Sequence, residues 1–149
     1  MIFGEEDMVR LAVYNDAEQL KQLNNEFNGL GDTTIEKIQE SLLHNQQEFV
    51  VVEEINKKLV GFICVQLKKS FCYEEYMVEI TEAYVKDNYR HNGIAARMIT
   101  FTEEHCKSNY PFHKIELLTG RQNHTAQKVY DKLGYKEDSE IHLSKRFKR

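Results

Sequence analysis

The chain has 149 residues, of which 41% are hydrophobic and 30% charged, with 24 acidic against 20 basic residues and a formal net charge of −4. That apolar content excludes an acidic disordered chain, and seven glycines with a single proline exclude collagen-like or low-complexity character. The acidic balance opposes general nucleic-acid binding, and no window approaches the roughly 20 apolar residues that cross a bilayer.

In chain order, Met8 to Val13 reads as a strand. Asn15 is the expected cap of a first helix, with Glu18 in the capping-box position and Ala17, Leu20, Leu23 and Phe27 facing inward up to Gly29. Thr33 with Glu36 repeats that arrangement for a second helix carrying Ile35, Ile38 and Leu42. Phe49 to Val52 and Leu59 to Leu67 then form an antiparallel hairpin around the turn Glu54-Ile55-Asn56-Lys57.

Tyr76 to Val85 is a third β segment of this middle region. Strict alternation puts Glu79, Thr81, Ala83 and Val85 on one face and Ile80, Glu82 and Tyr84 on the other, a parity that a bulge would change. Ile94, Met98, Phe101 and His105 have helical spacing, and Ile115 to Leu118 is a short strand. Ala126, Val129, Tyr130 and Leu133 mark a last helix closed by Gly134, and Ser139 to Phe147 alternates loosely as a terminal strand. No linker or repeat interrupts the order, so one domain over 1–149 is expected.

Cys64, Cys72 and Cys106 are odd in number and lack C-x-x-C spacing, which favours a reducing compartment over a disulfide framework. The six histidines show no H-E-x-x-H pattern, so no metal is assigned. With no basic-then-apolar leader at its start, the chain reads as a soluble cytoplasmic protein with neither nucleic acid nor membrane as partner. The basic cluster Lys145, Arg146, Lys148 and Arg149 reads as a solvated terminus.

The stretch Val85-Lys86-Asp87-Asn88-Tyr89-Arg90-His91-Asn92-Gly93-Ile94-Ala95-Ala96 takes a strand through a loop into a glycine at a helix start. Amides at such a start lack intrahelical partners and feel the positive end of the helix dipole, so they can hold a pyrophosphate; a tight turn explains the glycine equally well. Arg90-His91-Asn92-Gly93-Ile94-Ala95 resembles the [Gln/Arg]-x-x-Gly-x-[Gly/Ala] signature of the GCN5-related N-acetyltransferases (GNAT). Glu82-Ala83-Tyr84-Val85 resembles the end of that family's central strand. Asn123, Ala126, Tyr130 and Gly134-Tyr135 resemble its N-x-x-A-x-x-x-Y-x-x-x-G-[Phe/Tyr] pattern. Asp87 stands where members often have proline, His91 where a small or basic residue is usual, and Ala95 where glycine is commoner.

The resemblance implies an α/β (α+β) fold with a mixed, mostly antiparallel six- to seven-stranded sheet, splayed at the cofactor and flanked by about four helices. It implies acetyl-CoA as donor of an acetyl group to an amine. Main-chain groups of Ala83 and Val85, with Tyr84 between, would pair with the pantetheine arm like an added strand. Amides of Arg90, His91, Asn92, Gly93, Ile94 and Ala95 would hold the pyrophosphate, and Asn123 would bond the pantetheine or fix the next helix. Tyr130 takes the position of the family's acid for the leaving thiolate; its bland reading is an aromatic core residue.

For the base, Glu82 and Glu79 are rivals, with Glu82 nearer the thioester and a water-mediated base the alternative. A strand amide near Tyr84 or Val85 would receive the developing oxyanion. The acidic balance favours a cationic small amine, aminoglycoside- or polyamine-like, selected by the segments 27–32 and 69–75. The alternatives are a peptide or protein amine and a catalytically silent acyl-CoA-binding module. A homodimer is compatible with the resemblance.

Overall fold

The computed structural model describes residues 7–148. The chain divides into two compact units, Met1–Leu118 and Thr119–Arg149. In the first, β1 (Met8–Leu11) precedes α1 (Ala17–Asn28) and α2 (Ile35–His44); β2 (Glu48–Ile55), β3 (Lys58–Lys68) and β4 (Tyr76–Val85) follow, then α3 (Ile94–Asn109) and β5 (Phe112–Leu117). The strands form one sheet in the order β1-β2-β3-β4-β5. Neighbours are antiparallel except β4 and β5, which are parallel.

The sheet is mixed and mostly antiparallel, but among the described residues it has five strands rather than six or seven. The missing one is the terminal run: residues 139–147 form no strand, and Ile141, Leu143 and Phe147 stay exposed. Alternation alone makes no strand without a ladder partner, and here Lys145 and Arg146 interrupt the apolar pattern. Arg149, the last of the basic cluster, lies outside the described residues.

The strand sequences explain the layering. β3 is buried almost without break from Leu59 to Val65, the pattern of a central strand covered on both faces. On one face Leu20 and Leu23 of α1 pack with Val52, Leu59, Phe62 and Tyr84, joined by Ile38 and Leu42 of α2. The alternate residues Val51, Ile63, Val65, Val78 and Ile80 are buried with Ile94, Met98, Ile99 and Cys106 of α3. Among the described residues no helix is long and apolar enough to cross a membrane.

Local chemistry moved several boundaries. Tyr14–Asp16 is a 3-10 turn, so Asn15 lies inside it; Asp16 accepts from the Val13 amide at 2.7 Å and precedes α1. Burial opposes ionisation of Asp16, but the Arg10 guanidinium at 2.7 Å and that amide outweigh it and hold its pKa below the usual value. α2 is capped not by Thr33 but by Thr34, whose hydroxyl accepts from the Lys37 amide at 3.1 Å. The β2–β3 hairpin closes on Asn56 and Lys57, both with positive φ (52° and 65°), a two-residue turn matched to strand twist.

One irregularity decides which side chains face the site. Pairing of β3 with β4 passes from Cys64↔Glu82 to Val65↔Ile80, leaving Thr81 without an opposite residue. The extra residue inverts the parity of β4, and Glu79, opposite Gln66, shares a face with Glu82, opposite Cys64. The expectation of opposite faces for these two glutamates is thereby corrected.

The second unit contains α4 (His124–Lys132) and the segment beyond it. The Asn123 side chain accepts from the Ala126 amide at 3.2 Å and caps α4, while Gly134 with φ 95° follows its end.

Candidate functional site

β4 is paired with β5 only from Tyr76 to Ile80, whereas its pairing with β3 runs on to Val85. From Thr81 to Val85 the β5 side of the strand therefore carries no ladder partner among the described residues. The Lys86 amide donates to Val60 O at 2.9 Å, toward β3. Strand alternation then turns the peptide groups of Tyr84 toward β3 and those of Ala83 and Val85 toward the free side. This half-strand offers backbone donors and acceptors to any extended chain laid along it.

The loop beyond the strand is self-supporting. Arg90 folds back, donating from Nε to Val85 O at 2.9 Å, pairing with Asp87 at 2.7 Å and lying over the Tyr84 ring at 5.7 Å. Asn92 donates from Nδ2 to the carbonyls of Tyr89 and Arg90 at 3.1 and 3.0 Å, so its side chain closes the turn. His91 and Gly93 both have left-handed backbones, with φ of 65° and 77°. A Cβ on Gly93 would find nothing nearer than Arg97 Nη1 at 3.8 Å. Glycine is therefore needed there for its backbone angle and not for room.

α3 begins at this glycine without a side-chain cap. Its first backbone hydrogen bond runs from the Arg97 amide to Gly93 O at 3.0 Å. The amides of Ile94, Ala95 and Ala96 thus have no intrahelical acceptor, at the positive end of a 16-residue helix. That combination suits a phosphate group.

Two residues outside the signature fix this loop, and sequence reading missed both. Arg97 donates from Nη1 to Asn92 O at 3.2 Å and from Nη2 to Glu53 Oε1 on β2. Glu53 is only 2% exposed. The pair is 44 residues apart in sequence, and Glu53 sits in an ordinary-looking strand, so no local signal announces it. Arg97 does lie four residues after Gly93, one helical turn on, which is the only sequence hint.

The α1/α2 face of the sheet carries the acid–base candidates. The Tyr84 hydroxyl donates to Glu26 Oε1 at 3.0 Å, and its ring stacks on Phe27 at 5.1 Å, so α1 holds this side chain. Glu79 is engaged by Lys68 Nζ at 2.6 Å. Glu82 has no ion-pair partner among the described residues, and burial raises its pKa. The segments 27–32 and 69–75 present apolar side chains to solvent: Leu30 in the first, Phe71 and Tyr73 in the second.

In the second unit, burial raises the pKa of the Tyr130 phenol, so it stays protonated well above neutral pH. Its main-chain carbonyl accepts from the Tyr135 amide at 2.9 Å, joining two members of the Asn123–Tyr135 motif.

A family model described as "Acetyltransferase (GNAT) family" matches residues 14–135. Among solved structures, the chain is similar to an aminoglycoside acetyltransferase, meta-AAC0020, from an uncultured soil metagenomic sample. The TM-score is 0.83 at 19% identity, covering 95% of this chain and 97% of that one. The aminoglycoside N-acetyltransferase AAC(6')-Iy in complex with CoA gives 0.81 at 15% identity, covering 98% of each chain. The ribosomal-protein-alanine N-acetyltransferase of Brucella melitensis biovar Abortus 2308 gives 0.78 at 16% identity, covering 94% of this chain and 99% of that one. At these identities the structural likeness establishes the fold.

Proposed function

The chain belongs to the acetyltransferase (GNAT) family, whose model spans residues 14–135, and from that premise we propose that it moves the acetyl group of acetyl-CoA to a primary amine of a cationic small molecule, aminoglycoside- or polyamine-like. One observation carries the reading: the free half-strand of β4 leads through a single loop into an uncapped helix start. The peptide groups of Ala83 and the amide of Val85, whose carbonyl Arg90 already holds, would receive the pantetheine arm, and the amides from Arg90 to Ala95 the diphosphate. Tyr84 contributes the residue between, its own amide directed at β3.

The chemistry follows from the residues left uncommitted. Glu79 is held in an ion pair by Lys68, so Glu82 is the proposed base, taking a proton from the ammonium nitrogen directly or through a water. The freed lone pair forms the C–N bond as the thioester C–S bond breaks. The thiolate then takes a proton, for which Tyr130 is the proposed donor, a role resting on its place in the Asn123 motif. The amide of Val85 or Ala83, aimed at the free edge, is the proposed donor to the carbonyl oxygen.

The carboxylates of this face and the net charge of −4 support a cationic acceptor. Aminoglycoside acetyltransferases among the structural neighbours point the same way, and the ribosomal-protein enzyme supports a peptide amine as the second reading.

Thiol release measured with aminoglycosides, polyamines and peptides tests this reading. At neutral pH, Glu82→Gln should lower kcat about 100-fold and Glu79→Gln no more than about threefold, given what a positioned proton acceptor contributes. Tyr130→Phe should lower kcat about 100-fold with CoA affinity unchanged. Tight CoA binding without turnover on any amine would instead identify a silent acyl-CoA-binding module.

A further inference from the structure

Glu48 opens β2 opposite Gln66 of β3, and Gln66 stands opposite Glu79 of β4. Cys64 stands opposite Glu82, so Glu48 and Glu82 share the sheet face that carries α1 and α2, on either side of β3. Glu48 is half-buried and hydrogen-bonded to Gln66, with no ion-pair partner among the described residues. Lys68, a cation on this face, is held by Glu79 at 2.6 Å and Glu116 at 3.8 Å.

We propose that Glu48 is a positioning residue for the transfer reaction: a second carboxylate across β3 that strengthens Glu82 as acceptor of the ammonium proton. The inference rests on the reading of Glu82 as base.

The physical basis is repulsion between two like charges on a partly desolvated face where, among the described residues, the cations are already paired. A pair so placed holds its first proton more tightly than either member would alone. Desolvation raises the pKa of both glutamates, and the charge of Glu82 raises that of Glu48 further. The interaction is mutual, so the charge of Glu48 acts equally on Glu82.

The neighbouring groups leave that interaction uncompensated. Burial pushes the Cys64 thiol far up, so it stays neutral. The Tyr84 hydroxyl and Lys86 are both engaged by Glu26 of α1. From α2, Ser41 and Leu42 line a small cavity of about 130 Å³ beside Glu48, and they bring no charge. One proton moves in the assisted step, from the ammonium nitrogen to a Glu82 oxygen; Glu48 exchanges no atoms with the substrate.

The pH dependence of kcat/KM tests this, in wild type, Glu48→Gln, Glu48→Asp and Glu82→Gln. With Glu48→Gln the acidic limb should move down by about half to one pH unit and the plateau should fall about three- to tenfold; Glu48→Asp should restore the limb. A Glu48→Gln limb coincident with wild type overturns the proposal, even if the plateau falls. Turnover absent with every amine, or unchanged in Glu82→Gln, overturns the underlying reading and the proposal with it. If Glu48→Gln fails to fold, a 13C-carboxyl titration of wild type decides: two coupled steps support the proposal, and two independent steps overturn it.

Discussion

Arg97→Met should cost about 3 kcal/mol of folding stability and weaken CoA binding at least about tenfold. Removing one partner of a buried ion pair strands the other charge, at about 3–5 kcal/mol; the lower end applies because the Arg97 side chain is 36% exposed while Glu53 is 2% exposed. The same guanidinium holds Asn92 O at 3.2 Å, so its loss frees the loop whose amides are proposed to meet the diphosphate. Urea midpoints and calorimetry with CoA measure the two effects. The double variant Glu53→Met/Arg97→Met should recover much of the stability, because no charge is then left buried. A single variant within about 0.5 kcal/mol of wild type would show that the pair anchors nothing.

Gly61→Val should be comparably damaging, by about 2–4 kcal/mol. A Cβ at Gly61 would stand 2.8 Å from the Tyr84 carbonyl oxygen and 3.0 Å from Met98 Cε, with Val85 Cγ2 at 3.4 Å. The carbonyl is backbone in the β3–β4 ladder and cannot move aside as a side-chain tip would. The ladder must therefore part where Tyr84 and Val85 bound the free edge. Thermal unfolding should show a fall of about 4–8 °C or more, and CoA affinity should drop with it. A variant melting within about 2 °C of wild type would mean that β3 and β4 are not packed as closely as described.

Much of this architecture is legible in local sequence because local chemistry decides it. The α1 and α4 stops at Gly29 and Gly134, and the strand–loop–helix passage from Val85 to Ala96, depend on residues close in the chain. Gly61 was also within reach, since glycine inside an apolar strand often marks a close backbone approach. The caps lie one residue from the expected positions, because neighbours such as Thr33 and Thr34 offer the same hydroxyl and only the backbone angle chooses between them.

What stayed hidden depends on distant pairing. A period of two cannot register the extra Thr81, which exists only relative to β3, and so it misplaced Glu79 with respect to Glu82. The Glu53–Arg97 pair joins a strand to a helix 44 residues on, and nothing near either residue encodes the other. Glu48 looks like a solvated strand end until its register with Gln66 sets it on the same face as Glu82. The terminal run misled in the opposite sense: its alternation is real, but no partner strand exists for it among the described residues.

Titration of 15N-labelled protein with CoA, followed amide by amide, tests the central claim most directly. The largest shifts should fall on the amides of residues 90–96, together with Ala83 and Val85, and they should saturate together. Saturable binding whose shifts lie elsewhere, or no shift at millimolar CoA, would contradict the account.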